Sequence, residues 1–361
     1  MSDGSPLVIV SDLHLGGGPA AGAWGAGFSD EFAGDQPFSD FLRWLARRPG
    51  SSRLVFLGDT FDFLRVPVTG TRSGLFARCD AEAVAQLDRI AAAHSTVITA
   101  LSAALAAGVR ADFVCGNHDA ELVRPAVQER LCALLGAHVR VHPWILYIPG
   151  LLYAEHGHQH HDINAFARPL YPYAANDGRL ERPPAARLGD LKRLPASPGL
   201  LWRDALSGLR DRPPAASRAE YLARLVPARA YEIGLPESVV AELHHLASFS
   251  LVRAGRRLAS TPLRRRRPGY LPLAAAAVHD LMARSQCAVP FYAFGHTHAA
   301  ARISLGANAC YLNSGTWSTA AWARAGSRRT WIEIRAAAPA SARLFRWTGA
   351  AEPLADRMMP A

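Results

Sequence analysis

Four short apolar runs frame the chain, and each ends in the same way. Leu7–Val10 stops at Ser11-Asp12, Arg53–Leu57 at Gly58-Asp59, Ala111–Cys115 at Gly116-Asn117, and Pro290–Phe294 at Gly295-His296. Apolar, β-branched and aromatic residues fill these runs, which are too short for helices, so they predict buried strands. Helical patterns over Phe38–Arg47 and Ala81–Ala107 lie between the first three, as crossovers between sheet strands would. The expectation is an α/β fold with polar residues gathered at the carboxyl ends of its strands, where open sheets build their sites.

Beyond His298 the pattern shortens. The runs ARISL, CYLNSGTW, RRTWIEIR and ARLFRW read as short strands separated by turns. Between Asp162 and about Tyr270 the character differs: prolines at 169, 172, 183, 184, 195, 198, 213 and 214 precede helical patterns over Arg218–Tyr231 and Glu237–Arg257. That stretch is too long for a plain connection and predicts an insertion or cap. The expected division is therefore 1–161 and 271–361 as two parts of one catalytic domain, with 162–270 as a mostly helical insertion. Val239, Val240, Leu243, Leu246, Phe249 and Val252 fall close to one helical face, with Arg253, Arg256 and Arg257 near its end. Such a face either packs on the core or receives an apolar part of a substrate.

Composition narrows the picture modestly. Half of the residues are apolar and 19% charged, which suits a packed globular chain. The net charge of +10 comes almost wholly from arginine, Lys192 being the single lysine, and favours an anionic partner only through the general field. The arginine run in LRRRRPG (Leu263–Gly269) lacks interleaved aromatics, so nucleic acid is a disfavoured partner. Cys79, Cys115, Cys132, Cys287 and Cys310 are scattered, outside any close-spaced metal pattern, and suit a reducing compartment. The N-terminal run turns polar too soon for a signal peptide, and no run reaches the ~18 apolar residues of a membrane span. A cytoplasmic location is expected; the alternative is peripheral contact with the inner face of the membrane through the apolar and basic helix of the insertion.

The segment YAEHGHQHHD places His156, His158, His160 and His161 within six positions. Neutral imidazole is a good ligand for zinc, iron, nickel or copper, but one short segment rarely supplies a whole centre. Partners are available in four other motifs: SDLH (Asp12, His14), GDTFD (Asp59, Asp62), GNHD (Asn117, His118, Asp119) and GHTH (His296, His298). Carboxylate, amide and imidazole together suit Mn, Fe or Zn, and an ion pair about 3.5–4 Å apart needs a shared anionic oxygen.

In this order, each at a strand end, the motifs resemble the calcineurin-like metallophosphoesterase superfamily, over about Leu7–Leu122, Leu151–Gly157 and Pro290–Gly315. The resemblance implies a β-sandwich flanked by helices and two transition-metal ions, Mn, Fe or Zn. One ion would be held by Asp12, His14, Asp59 and His298, the other by Asp59, Asn117, His156 and His296, with Asp59 bridging. It also implies hydrolysis of a phosphoester by a metal-bridging hydroxide, with His118 as general acid and Asp62 orienting it. The segment HQHHDINAF resembles the HGxxxDxxN stretch of a group of bacterial phosphoesterases, so Asp162 and Asn164 are expected to brace the ligand loop. His158 is a candidate support or phosphate contact, whereas His160 and His161 are expected to be solvated or structural. Asn313 is expected to stabilise a turn near the metals or to touch substrate, and Asp119 to cap local backbone. His94, His138, His142 and His279, each isolated in the sequence, are expected to be structural.

The expected substrate is a small phosphorylated compound, cleaved by a phosphatase or phosphodiesterase. An alternative is pyrophosphate cleavage of a UDP-linked or other nucleotide-diphosphate lipid precursor at the membrane surface. The early motifs resemble that enzyme too, but it carries arginine where His118 stands here. An alternative of another class is a catalytically silent metal- or anion-binding protein on the same fold, which would predict lost ligands.

Overall fold

The structure is a computed structural model. It describes residues 6–18, 30–48, 50, 52–68, 77–161, 163–172, 179–181, 183, 185–186, 215–258, 269–319 and 325–354, with only the helical backbone at 215–221 and 248–258. The first half alternates strand and helix. It runs β1 (Leu7–Val10), α1 (Asp35–Ala46), β2 (Arg53–Leu57), α2 (Asp80–Ala93), α3 (Ser95–Ala106), β3 (Arg110–Val114), α4 (Pro125–Leu135), β4 (Arg140–His142), β5 (Ile145–Ile148) and β6 (Leu152–Glu155). Helices α5 (Ala215–Ile233), α6 (Glu237–Leu258) and α7 (Tyr270–Arg284) follow. The chain then returns to strands: β7 (Phe291–Phe294), β8 (Ala301–Ser304), β9 (Cys310–Asn313), β10 (Thr330–Arg335), β11 (Ser341–Trp347) and β12 (Ala351–Pro353).

Two mixed sheets pack face to face with helices outside both. One has the order β12-β11-β10-β1-β2-β3-β4, the other β5-β6-β7-β9-β8. Strands β1, β2, β3 and β4 are parallel, as are β6, β7 and β9. Their carboxyl ends therefore deliver side chains to one edge of the sandwich. Strand alternation explains why the apolar runs are continuous. Leu7, Ile9, Val55 and Leu57 face the second sheet, meeting Leu152, Ala154, Phe291 and Leu312. Val8, Val10, Leu54 and Phe56 face the other way, onto α1, α2 and α3 through Phe38, Phe41, Leu87 and Leu101.

The helical insertion belongs to the outer face of the second sheet. Val239, Val240 and Leu243 of α6 are buried in one cluster with Trp144, Tyr153, Leu271, Tyr292 and Tyr311. This part of the apolar face is thus occupied by the protein's own core. The side chains of Phe249, Val252, Arg253, Arg256 and Arg257, and the arginine run at 264–267, lie outside the described residues.

The helical pattern over Ala81–Ala107 folds as two helices: α2 and α3 meet at His94 with a bend of 93°. Neither glycine nor proline marks the break. His94 is instead held between two carboxylates, its Nδ1 2.8 Å from Asp35 and its Nε2 2.9 Å from Asp30. No single helix among the described residues is long and apolar enough to cross a membrane.

Candidate metal centre

Each motif sits where its strand stops, and the backbone there is unusual. Asp12, His14, Asp59, His296 and His298 all adopt positive φ, between 52° and 64°. Non-glycine residues rarely do so, and clusters of them collect at functional sites. Within SDLH the amide of Asp12 donates to the carbonyl of Gly58 (3.0 Å) and that of His14 to the carbonyl of Asp59 (2.9 Å), so the loops after β1 and β2 stay paired. Leu13, between the two polar residues, is fully buried, while Asp12 and His14 turn to the site. Close approach then dictates the glycines: a Cβ on Gly58 would stand 2.4 Å from the His156 ring, and one on Gly116 2.2 Å from Asp59 Oδ1.

The side chains converge in two groups, Asp12 with His14 and His298, and Asp59 with His156 and His296, all buried. Asp59 joins them: its Oδ2 lies 3.1 Å from His156 Nε2 and 3.8 Å from His14 Nε2. Its other oxygen accepts from the amide of His118 at 2.8 Å. Asp12 Oδ1 lies 3.0 Å from His298 Nε2, and His14 Nε2 is 3.2 Å from His298 Nε2. Asn117, at the end of β3, is buried and its Oδ1 makes no hydrogen bond among the described residues.

The proton positions favour a cation here. His156 Nδ1 is 2.8 Å from the carbonyl of Leu57, which can only accept, so Nδ1 carries hydrogen. Its Nε2 lone pair then faces the Asp59 carboxylate, and only a proton or a metal ion resolves that contact. Burial disfavours charge on the ring, but Asp59 and Asp12 push the His156 pKa up to about 10. His14 is likewise buried, yet Asp62, Asp59 and Asp12 raise it to about 9. The carboxylates thus draw positive charge into the cluster. A donor set of carboxylate, amide and imidazole fits two borderline divalent ions, and the paired clusters have the capacity for both.

A third group, His14 with Asp62 and His118, reads differently. Arg65 Nε lies 3.1 Å from Asp62 Oδ2, so a guanidinium already supplies cationic charge. His118 Nδ1 donates to Asp62 Oδ1 at 2.9 Å, and the ring keeps 23% of its surface exposed. Burial pushes the Asp62 carboxyl up, but His118 and His14 pull it well below the usual carboxylate range.

The supporting residues divide clearly. Asp119 accepts from the amides of Gly116 (2.6 Å) and Thr60 (2.7 Å), tying the loops after β2 and β3 together; burial and then Asp59 raise its pKa to about 6. Asn313 is fully buried and braces the GHTH turn, donating to the carbonyl of Gly295 at 2.7 Å and accepting from the amide of Gly315 at 3.0 Å. His158 is buried beside His156 and Phe166, and Asn164 lies 3.2 Å from His296 Nε2. Asp162 lies outside the described residues.

Two features escape the sequence reading. Glu155, immediately before His156, is fully buried and receives His160 Nε2 (2.7 Å), Trp144 Nε1 (2.7 Å) and Tyr153 OH (3.0 Å). His160 is therefore structural. His161, expected to be solvated or structural, is brought to the site: its Nδ1 is 3.1 Å from His296 Nε2. Neither residue has a sequence signal, because the partner is brought close by the fold. His142 and His279 are structural as expected, bonded to Asp112 and to the Tyr292 hydroxyl.

No family model and no curated protein matches the chain. Fold and site geometry, consistent with a calcineurin-like dinuclear centre, therefore carry the functional argument.

Proposed function

We propose that this protein is a dinuclear-metal-dependent phosphoester hydrolase acting on a small phosphorylated substrate. The observation that carries the reading is the Asp59 carboxylate, one oxygen of which faces both ligand groups at 3.1 Å and 3.8 Å. Asp12, His14, Asp59 and His298 would hold one ion, and Asp59, Asn117, His156 and His296 the other. When bound, such a pair supplies Lewis acidity toward a phosphoryl oxygen and an activated water.

The chain's own residues do the rest. His118 binds Asp62 through Nδ1, which leaves Nε2 as the atom that hands a proton to the leaving oxygen. Asp62 fixes the ring through that bond, while His118 and His14 hold its carboxyl well below the usual carboxylate range against the effect of burial. Asp119 and Asn313 hold the loops that carry Asp59, Asn117, His296 and His298, so the ligand geometry is set before substrate arrives.

The test is a panel of phosphomonoesters, phosphodiesters and nucleotide-diphosphate conjugates, run on the purified, chelator-stripped and Mn-reconstituted protein. Hydrolysis of one class, abolished by chelation and restored by Mn, is expected. A folded protein that binds two ions and cleaves none of the panel would point instead to the catalytically silent binding protein.

A further inference from the structure

We propose that His161, with Asn164, positions His296 for metal binding and couples that ligand to the helix following the insertion. The proposal rests on the dinuclear reading and adds a positioning residue that the metal motifs do not contain. Three side chains form a closed triangle. His161 Nδ1 is 3.1 Å from His296 Nε2, Asn164 Nδ2 is 3.2 Å from the same nitrogen, and Asn164 Nδ2 is 2.7 Å from His161 Nδ1. With Nε2 engaged on this side, Nδ1 is the atom His296 has left to offer the group it forms with Asp59 and His156.

The protons follow from that assignment. A neutral imidazole that ligates through Nδ1 must carry its hydrogen on Nε2, and that hydrogen needs an acceptor. Asn164 supplies one with its amide turned so that the oxygen, in place of Nδ2, faces the rings. The oxygen then accepts from His296 Nε2–H and from His161 Nδ1–H together, so His161 acts on His296 by holding Asn164 and packing beside the ring, not by a direct hydrogen bond. Without this pair the His296 ring would be free to turn, or to place its hydrogen on the ligating nitrogen.

His161 is itself held firmly. Its amide donates to the carbonyl of His158 (3.0 Å), and its carbonyl accepts from the amides of Asn164 (2.9 Å) and Ala165 (3.1 Å). Its ring stacks on Tyr270, the first residue of α7, at 5.4 Å and 29°. Helix α6 packs on the same short turn, His158–His160. The two helices on either side of the 259–268 segment thus both bear on the clamp, so a shift of the insertion would be felt at His296.

The test measures metal affinity rather than turnover. Chelator-stripped parent, His161→Ala, His161→Gln, Asn164→Ala, Tyr270→Ala and Tyr270→Phe are titrated with Co²⁺, read by visible absorption and by chelator competition. In His161→Ala and Asn164→Ala one of two ions should bind about 10–100-fold more weakly, the usual effect of removing a partner behind a ligating histidine, while the other is unchanged. His161→Gln should recover part of the loss by restoring a hydrogen bond. Tyr270→Phe, which keeps the stack, should match the parent, and Tyr270→Ala should lose affinity at the same ion. Parental affinity for both ions in His161→Ala, or equal weakening of both, would overturn the clamp. An unaffected Tyr270→Ala would overturn its coupling to α7. A parent that binds fewer than two ions would instead overturn the dinuclear reading beneath it.

Discussion

Replacing Gly116 by alanine strikes the centre without replacing a ligand. The new methyl would lie 2.2 Å from Asp59 Oδ1 and 2.5 Å from the Asp59 backbone nitrogen, where real Cβ contacts essentially never fall below 3.0 Å. A backbone nitrogen cannot swing aside as a side-chain tip can. Asp59 is also pinned, at φ 52°, with its carbonyl accepting from His14 at 2.9 Å and its Oδ1 from the amide of His118 at 2.8 Å. Overpacking costs ~1–3 kcal/mol, and losing the bond to a charged oxygen adds ~1.5–3 kcal/mol. The sum, about 2.5–6 kcal/mol, is a large part of the ~5–15 kcal/mol that holds a domain together. Gly108→Ala is the control: at φ +97° with nothing within 4 Å, it meets backbone strain alone, about 1–2 kcal/mol. Urea unfolding of both variants, with a metal titration of each, separates the two costs. Gly116→Ala within about 1 kcal/mol of the parent and binding metal normally would refute the close packing of the β3 loop on Asp59.

His118→Ala should leave metal binding intact and slow hydrolysis by about 10²–10⁴-fold, with a much smaller loss for a nitrophenyl ester, whose leaving group hardly needs a proton. Steady-state rates across leaving groups of different pKa check this, and a uniform loss would remove His118 from the acid's role. His94 makes the stability pH-dependent: between Asp30 and Asp35 its pKa, which burial would lower, rises from 6.5 to about 9. A raised folded pKa stabilises fully below pH 6.5 and is lost as pH climbs through 9, so unfolding free energy should fall over that window by about 1–3 kcal/mol more than in His94→Gln. Equal pH dependence in urea melts of the two proteins would contradict the pairing.

The strand ends were legible in the sequence because burial and chemistry change at the same residue. In Leu57-Gly58-Asp59 the apolar run stops, glycine permits the approach of His156, and the carboxylate follows. The period-2 spacing of Asp12 with His14 and of His296 with His298 likewise survives in the fold, since each pair shares one backbone conformation. Tertiary pairings were not legible. The break at His94 carries no glycine or proline and depends on Asp30 and Asp35 in another part of the chain. His161 meets His296 across 135 residues, so neither its spacing nor its neighbours marks it. The short, half-exposed β4, Arg140–His142, lacks an apolar run and is a strand because β3 pairs with it.

Elemental analysis of the purified, folded protein decides whether the site holds two metal ions. Asp59 Oδ2 faces His156 at 3.1 Å and His14 at 3.8 Å, so one carboxylate oxygen faces both ligand groups. Close to two transition-metal ions per chain are expected, with both falling together in Asp59→Asn. One ion or none in a folded and active parent protein would contradict the dinuclear centre.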